Sequence, residues 1–249
     1  MLGRKGTLAA LAFLAAPLLA QAPSAPPTAE EIVANYIKTV GGLEKIDAVK
    51  TLKRYGKYRG GGGFEARTLE ENKRADLVRQ EFTFQGMTGV TAWDGKTGWK
   101  IEPWQGKKDP EPLGDEELKG IVEDSVFDGQ LVRYKEKGNT VEFAGSEPVE
   151  GTDAWKLKVT LKNGDVQYYF MDQDYFVPIK IEFKRMIRGA EQESEASLGD
   201  YKSVNGWYLP HSIEQGRKGS SNRSTVVYDK IEANVPMDDS MFAMPGAAK

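Results

Sequence analysis

The sequence predicts a mainly β (α+β) chain, a curled antiparallel sheet of about ten or eleven strands with helices laid against its concave side. Two observations carry this. First, Trp155, Leu157, Val159 and Leu161 alternate with Lys156, Lys158, Thr160 and Lys162, and Val177, Ile179, Ile181 and Phe183 alternate with Lys180, Glu182 and Lys184. Period-two alternation leaves one sheet face wet and the other covered. Asn163-Gly164 between these runs is a tight-hairpin signal. Second, similar short runs recur along the chain without any internal repeat, which argues against a propeller or solenoid. So many strands in one open sheet twist until the sheet curls.

The elements follow in order. Thr28-Ala29-Glu30-Glu31 has the pattern of a capping box, with Thr28 as N-cap and Glu31 at the third helical position. Ile32, Val33, Tyr36, Ile37 and Val40 then share one helical face, and Gly41-Gly42 stops the helix. A short helix over 43–48 precedes the strands. Strands are expected at 52–59, 64–71 and 77–84, with the four glycines 60–63 making a turn. Val90 to Trp93 and Gly98 to Ile101 form a hairpin around Asp94-Gly95-Lys96, with both tryptophans packing on one face. Residues 103–114 read as a polar loop carrying Trp104. Asp115 caps a helix reaching about Phe127, with Leu118, Ile121, Val122 and Val126 on its apolar stripe. Strands resume at 140–144 and 155–161, and the meander through Phe183 follows. Glu191, Glu193 and Glu195 mark a polar strand suited to an edge. Pro210 inside the strand 208–213 indicates an edge or a bulge. The strand 225–233 completes the sheet.

Residues 1–22 read as a secretory signal: Arg4 and Lys5, an apolar run from Leu8 to Leu19, then Ala20-Gln21-Ala22, with cleavage after Ala20 or Ala22. That run is too short for an ordinary membrane span. Residues 23–28 are a proline-containing linker, and 29–249 form a single domain. The expected destination is the periplasm. Net charge is −3; losing Arg4 and Lys5 makes it about −5, which disfavours nucleic acid as a partner. The chain has no cysteine. Thiol nucleophiles, thiolate zinc sites, disulfides and a cysteine-linked lipid anchor are therefore excluded.

No catalytic set emerges. His211 lies in a strand-like segment with no nucleophile-elbow motif beside it. Asp238-Asp239 point to opposite faces of an extended chain, and Asp172-x-Asp174 lacks EF-hand spacing. Lys156, Lys158, Lys162, Lys180 and Lys184 read as a solvated outer face. No metal and no cofactor is expected. The remaining signal is apolar. Phe82, Phe84, Trp93, Trp99, Trp155, Leu157, Val159, Ile179, Ile181 and Phe183 are the candidate cavity lining, with Leu118, Ile121, Val122 and Val126 as the lid. A sheet closed by a movable helix can hold a hydrophobic guest.

Several segments resemble the outer-membrane lipoprotein-sorting family, the LolA/LolB-like periplasmic carriers. They are Gly41-Gly42-Leu43-Glu44-Lys45, the turn from Trp93 to Pro103, Val177-Pro178-Ile179-Lys180-Ile181-Glu182, Gly206-Trp207-Tyr208-Leu209-Pro210, and the tail from Asn234 through Asp238-Asp239 and Phe242 to Pro245. The resemblance implies a strongly curved half-barrel with helices as a lid over an apolar cavity for acyl chains. It implies a monomeric, non-enzymatic carrier whose partners are a lipid or lipidated protein and inner- or outer-membrane lipoprotein machinery. The family's lid-holding arginine corresponds to Arg67, Arg74 or Arg79. The chain is longer than the carriers proper at 103–127. The same scaffold also serves envelope sensors, so a non-carrier interaction module is the alternative, with a carboxylate hydrolase third.

Overall fold

The computed structural model describes residues 25–187 and 190–246. The expected signal sequence and its cleavage points lie outside the described residues. Thr28 caps α1 (Ala29–Thr39): its side chain accepts from the Glu31 amide while the Glu31 carboxylate accepts from the Thr28 amide at 2.8 Å. Gly41, at φ 119°, turns the chain directly into α2 (Gly42–Ala48). A Cβ there would lie 2.2 Å from the Gly206 carbonyl oxygen, so this corner requires glycine.

Thirteen strands follow: β1 (Thr51–Arg59), β2 (Glu65–Lys73), β3 (Leu77–Phe84), β4 (Met87–Trp93), β5 (Gly98–Glu102), β6 (Lys107–Pro112), β7 (Thr140–Ser146), β8 (Ala154–Thr160), β9 (Val166–Asp172), β10 (Pro178–Ile187), β11 (Ala190–Val204), β12 (Trp207–Arg217) and β13 (Arg223–Ala233). The third helix, α3 (Asp115–Ser125), lies between β6 and β7. The strands form one open antiparallel sheet in the order β6-β5-β4-β3-β2-β1-β13-β12-β11-β10-β9-β8-β7. The sheet is a curved half-barrel.

Four readings are corrected here. The sheet has two or three more strands than expected, and β6 occupies what read as the polar loop, paired through Trp99↔Pro112 and Lys100↔Glu111. The glutamate-rich strand β11 is interior, between β10 and β12. Its acids meet lysines and an arginine from its surroundings: Glu195 pairs with Lys180 and Arg223 at 2.9 and 2.6 Å, and Glu193 with Lys184 and Lys218. Trp93 and Trp99 do not share a face, since Trp93 is opposite Gly98 and Trp99 opposite Ala92. Pro210 lies in an interior strand, but the β12–β13 ladder begins only at Ser212↔Val227, so Pro210 has no ladder partner on that side.

The topology dictates what covers the concavity. β6 and β7 are opposite edges of the sheet, yet they are consecutive in the chain. The segment between them therefore straps across, and it carries α3. Beyond α3, Leu131 and Tyr134 join Ile32 and Val33 of α1 in a core against Leu157, Val159, Tyr169 and Met171. Phe127 and Val132 join Val40 and Ile46 in a second core with Leu52, Trp207 and Leu209. On the outer face, Phe170 is fully buried between the ammonium groups of Lys156 and Lys180, at 4.8 and 5.1 Å from its ring. No helix among the described residues is long and apolar enough to cross a membrane.

Candidate functional site

Beneath α3 the concave face forms a half-open pocket of about 520 Å³, bordered by β1–β4, β12 and β13. Strand register sorts its floor into layers. At the closed end Leu52, Asn72 and Val78 are opposite one another and 0–3% exposed. The next layer is polar: Arg54, Glu70, Gln80 and Thr91 stand side by side on β1 to β4. The Arg54 guanidinium donates through Nη1 to both Glu70 and Asn72. Tyr228 donates its hydroxyl to Glu70 at 3.4 Å. Burial pushes the Tyr228 phenol well above its usual range, and the Glu70 charge adds to the rise, so it remains a neutral donor.

Toward the open end the floor turns aromatic. Tyr58 and Phe82 meet edge to face with centroids 5.3 Å apart, and Phe64 and Phe84 lie 4.4 Å apart. Trp104, on the short turn between β5 and β6, meets Phe82 edge to face at 6.0 Å. A Cβ on Gly89 would fall 2.0 Å from the Trp104 ring, so the absence of a side chain there lets the indole pack against β4. Trp104 remains 42% exposed. Ile213 and Val226 complete an aliphatic wall.

The roof buries Ile121 and Ser125 and is held by polar ties as well. Lys100 on β5 bonds Glu117 at 2.6 Å, and Gln80 on β3 bonds Asp124 at 3.5 Å. Across the concavity Gln167 of β9 donates to Glu123. α3 is thus fastened to both arms of the half-barrel. Of the three candidate arginines, Arg74 ties this region together. Its guanidinium donates to the Val49 and Ile46 carbonyls at 2.9 and 2.8 Å, pairs with Asp128 at 3.2 Å, and covers the Phe127 ring at 4.5 Å. Arg79 instead pairs with Glu71 and Glu81.

The sequence-derived lining residues are dispersed over the molecule. Phe82 borders the cavity, and Phe84 belongs to the aromatic cluster at its rim. Leu157 and Val159 are fully buried under α1, with Trp155 and Ile181 packed on the same cluster. Phe183 is half-buried two residues further along β10, and Ile179 sits at a ladder irregularity between Pro178 and Lys180. Trp93 is half-buried on β4. Trp99 faces the opposite side, under the C-terminal tail, where it packs near Met244 and donates to the Phe242 carbonyl at 2.7 Å. Among the lid residues, Val126 borders the cavity, Ile121 is buried, Leu118 covers Gly98, and Val122 is 38% exposed. Arg54, Glu70, Asn72, Gln80 and Tyr58 were missed. The available signal was the lack of a clean apolar face in 52–59 and 65–73.

His211 is buried and its Nδ1 lies 3.0 Å from the Leu209 carbonyl oxygen. Asp172 accepts two backbone amides of its own turn, from Asp174 and Tyr175. Asp239 pairs with Lys73 at 2.6 Å. Among the described residues, no group of three or more histidines or acids is placed to hold a metal ion.

A family model described only as an uncharacterized protein matches residues 124–245. No curated protein matches the chain in sequence. Solved structures do match in fold. A LolA superfamily protein from Nitrosomonas europaea is 15% identical, with a TM-score of 0.58 over 88% of this chain and 98% of that one. A domain described as an outer membrane lipoprotein-sorting protein from Vibrio parahaemolyticus is 13% identical, with a TM-score of 0.57 over 85% and 94%. A DUF1329 family protein from Desulfovibrio piger is 11% identical, with a TM-score of 0.55 over 86% and 97%. The chain has a LolA/LolB-like fold.

Proposed function

We propose that this chain is an exported, periplasmic carrier or binder of a hydrophobic guest, a lipid or the acyl chain of a lipoprotein, acting without covalent chemistry in outer-membrane lipoprotein sorting. The observation that carries the reading is the cavity of about 520 Å³ under a strap that the topology forces across the sheet. Its size is in the range of small-molecule sites, and an aromatic cluster stands at its open end. The likeness of fold to lipoprotein-sorting and LolA proteins supports the same reading. α3 carries Lys100–Glu117, Gln80–Asp124 and Gln167–Glu123 ties and belongs to neither of the two large cores, so its displacement would leave both intact. The fold alone does not define the cargo.

A second reading, an envelope sensor or interaction module, is favoured by the other half of the concave face, which is filled by α1 rather than hollow. A carboxylate hydrolase is a poorer match, because the cavity's Glu70 is held by Arg54 and its Asp124 by Gln80 in structural ties.

Native mass spectrometry of the mature protein from the expressing cell, with organic extraction and lipid analysis, tests the proposal. A stoichiometric lipid, released together with loss of the bound mass, is the expected result. A guest-free mass that persists after incubation with phospholipid and with acylated peptide would overturn the carrier in favour of the interaction module.

A further inference from the structure

An antiparallel meander sends alternate turns to opposite ends of the sheet. The β1–β2, β3–β4, β5–β6 and β12–β13 turns therefore share one end, the end at which the pocket opens between its aromatic rings. A Cβ on Gly61 would lie 2.8 Å from Asn222 Oδ1, so the β1–β2 and β12–β13 turns touch there. Two features meet at this end.

The first is apolar. Trp104, on the β5–β6 turn, is 42% exposed, and Met87, at the start of β4, is 38% exposed. Met87 is opposite Phe84 in the ladder, Phe84 touches Phe64, and Trp104 touches Phe82. The rings that line the pocket mouth and the groups that face solvent are thus one continuous surface.

The second is charge. From Arg217 to Arg223 the β12–β13 turn holds Arg217, Lys218 and Arg223 and no acid. Lys218 and Arg223 are paired with Glu193 and Glu195 of β11, while Arg217 is exposed and outside those pairs. At the opposite end, the β7–β8 turn holds Glu147, Glu150 and Asp153 with no base, and the β9–β10 turn adds Asp174. The other turns are near balance, with Arg59 facing Glu65 at one end and Arg74 near Asp76 at the other. Although the chain is net negative, at −3, an anionic surface would turn it mouth first.

A fluid lipid surface fits this end better than a protein does. The exposed apolar groups stand on separate turns around an opening, beside the bare glycine turn Gly61–Gly63. A protein interface needs a closely packed apolar core. A headgroup layer needs no matching shape, and indoles favour it. Arginines near anionic lipid gain from its surface potential.

We propose that the open end of the β1–β6 arm docks on an anionic lipid surface, with Trp104 and Met87 in the headgroup layer and Arg217 against its phosphates. The pocket then opens onto the bilayer, and an apolar guest passes between the two without crossing water. This adds to the guest-binding reading the place where the guest is exchanged.

The test is co-sedimentation of the full mature protein with protein-free vesicles, either phosphatidylcholine alone or an equal mixture with phosphatidylglycerol, at low and high salt. Binding to the mixed vesicles should be several-fold tighter than to the neutral ones and should weaken with salt. Arg217→Gln should weaken binding to the mixed vesicles about fivefold. Trp104→Ser should weaken binding to both compositions several-fold. Glu150→Gln, at the far end, should bind as the unaltered protein does. Failure to bind either vesicle, or binding that neither R217Q nor W104S weakens, would overturn the proposal. Binding only to vesicles reconstituted with membrane protein would also overturn it, by giving this surface a protein partner. A lipid guest found by native mass spectrometry without any vesicle binding would overturn the docking and leave the carrier reading standing; vesicle binding by a guest-free protein would do the reverse. Should W104S fail to fold, R217Q and the salt and lipid dependence still decide.

Discussion

The two arms of the half-barrel have the same construction and opposite contents. On the β7–β10 arm, α1 drops Ile32 and Val33 into the sheet, and Leu157, Val159 and Met171 are left with no exposed surface. On the β1–β4 arm, α3 buries Ile121 and covers Gly98 with Leu118 but faces the sheet with acids tied to Lys100 and Gln80, and Tyr58 and Phe82 are only half-buried. The covering helix decides the difference. Both helices are acidic in their first turns, but α1 presents an apolar face to the sheet whereas α3 brings Glu123 and Asp124 toward it. Carboxylates cannot sink into an apolar floor without losing hydration. They bridge to amides and a lysine instead, and the space beneath them stays open. One scaffold thus provides a rigid half that sets stability and a hollow half available for binding.

The sharpest way to break that contrast is a pair of truncations. Leu157→Ala should cost about 2–5 kcal/mol in urea unfolding, because a fully buried leucine leaves a cavity in a closed core. Phe82→Ala, from a half-exposed cluster, should cost under about 2 kcal/mol while lowering guest affinity about tenfold. Equal stability losses would mean that the two arms do not differ as described.

Arg74 belongs to the join between the arms. Arg74→Met keeps bulk over the Phe127 ring but removes three hydrogen bonds, one of them to buried Asp128. A loss of about 2–4 kcal/mol is expected, with faster amide exchange across the strap. Exchange that accelerates only in α1 would place the join elsewhere.

Acid should produce the smallest effect, largest on the packed arm's outer face, with a further contribution from Glu117, which Lys100 holds below its ordinary value. Burial would raise the Glu195 carboxyl, but hydrogen bonds from Lys180, Arg223 and the Gly219 amide outweigh it and hold it down at about 2. Burial likewise opposes, and Lys180 and Lys218 overcome, the shift of Glu182, which also lies below its ordinary value. Depressed carboxyls contribute stability that is fully present above the unfolded value near 4.5 and lost as pH falls from there toward 2. The loss should be about 1–2 kcal/mol for Glu195 after allowance for screening. Hydrogen exchange should show β10–β12 loosening between pH 5 and pH 2 before the hollow arm does, and the reverse order would contradict the ion-pair assignment.

Much of this was legible because it is local. The capping box at Thr28 and Glu31, the Gly41-Gly42 stop and the alternation of β8 to β10 are each decided by a few neighbouring residues. β6 was not legible because a strand of Lys107, Lys108, Asp109, Pro110, Glu111 and Pro112 carries no apolar alternation. β11 read as an edge because its glutamates lack partners nearby in sequence; the partners come from β10, the β12–β13 turn region and β13. The site was split for a similar reason. Leu157 and Phe82 both sit on alternating strands, and nothing local says which arm α1 will fill. The polar layer was hidden because Arg54, Glu70 and Gln80 look like ordinary solvent-facing residues until the curl turns them inward.

Photocrosslinking decides the central claim, that the hollow arm is the guest's seat. The mature protein would be loaded with a long-chain lipid bearing a diazirine on its tail, irradiated, digested and mapped. The account predicts adducts on the peptides carrying Tyr58, Phe82 and Val126, reduced in Phe82→Ala. Adducts confined to peptides of the packed arm, such as those carrying Leu157 or Tyr169, or spread evenly over the outer face, would contradict it.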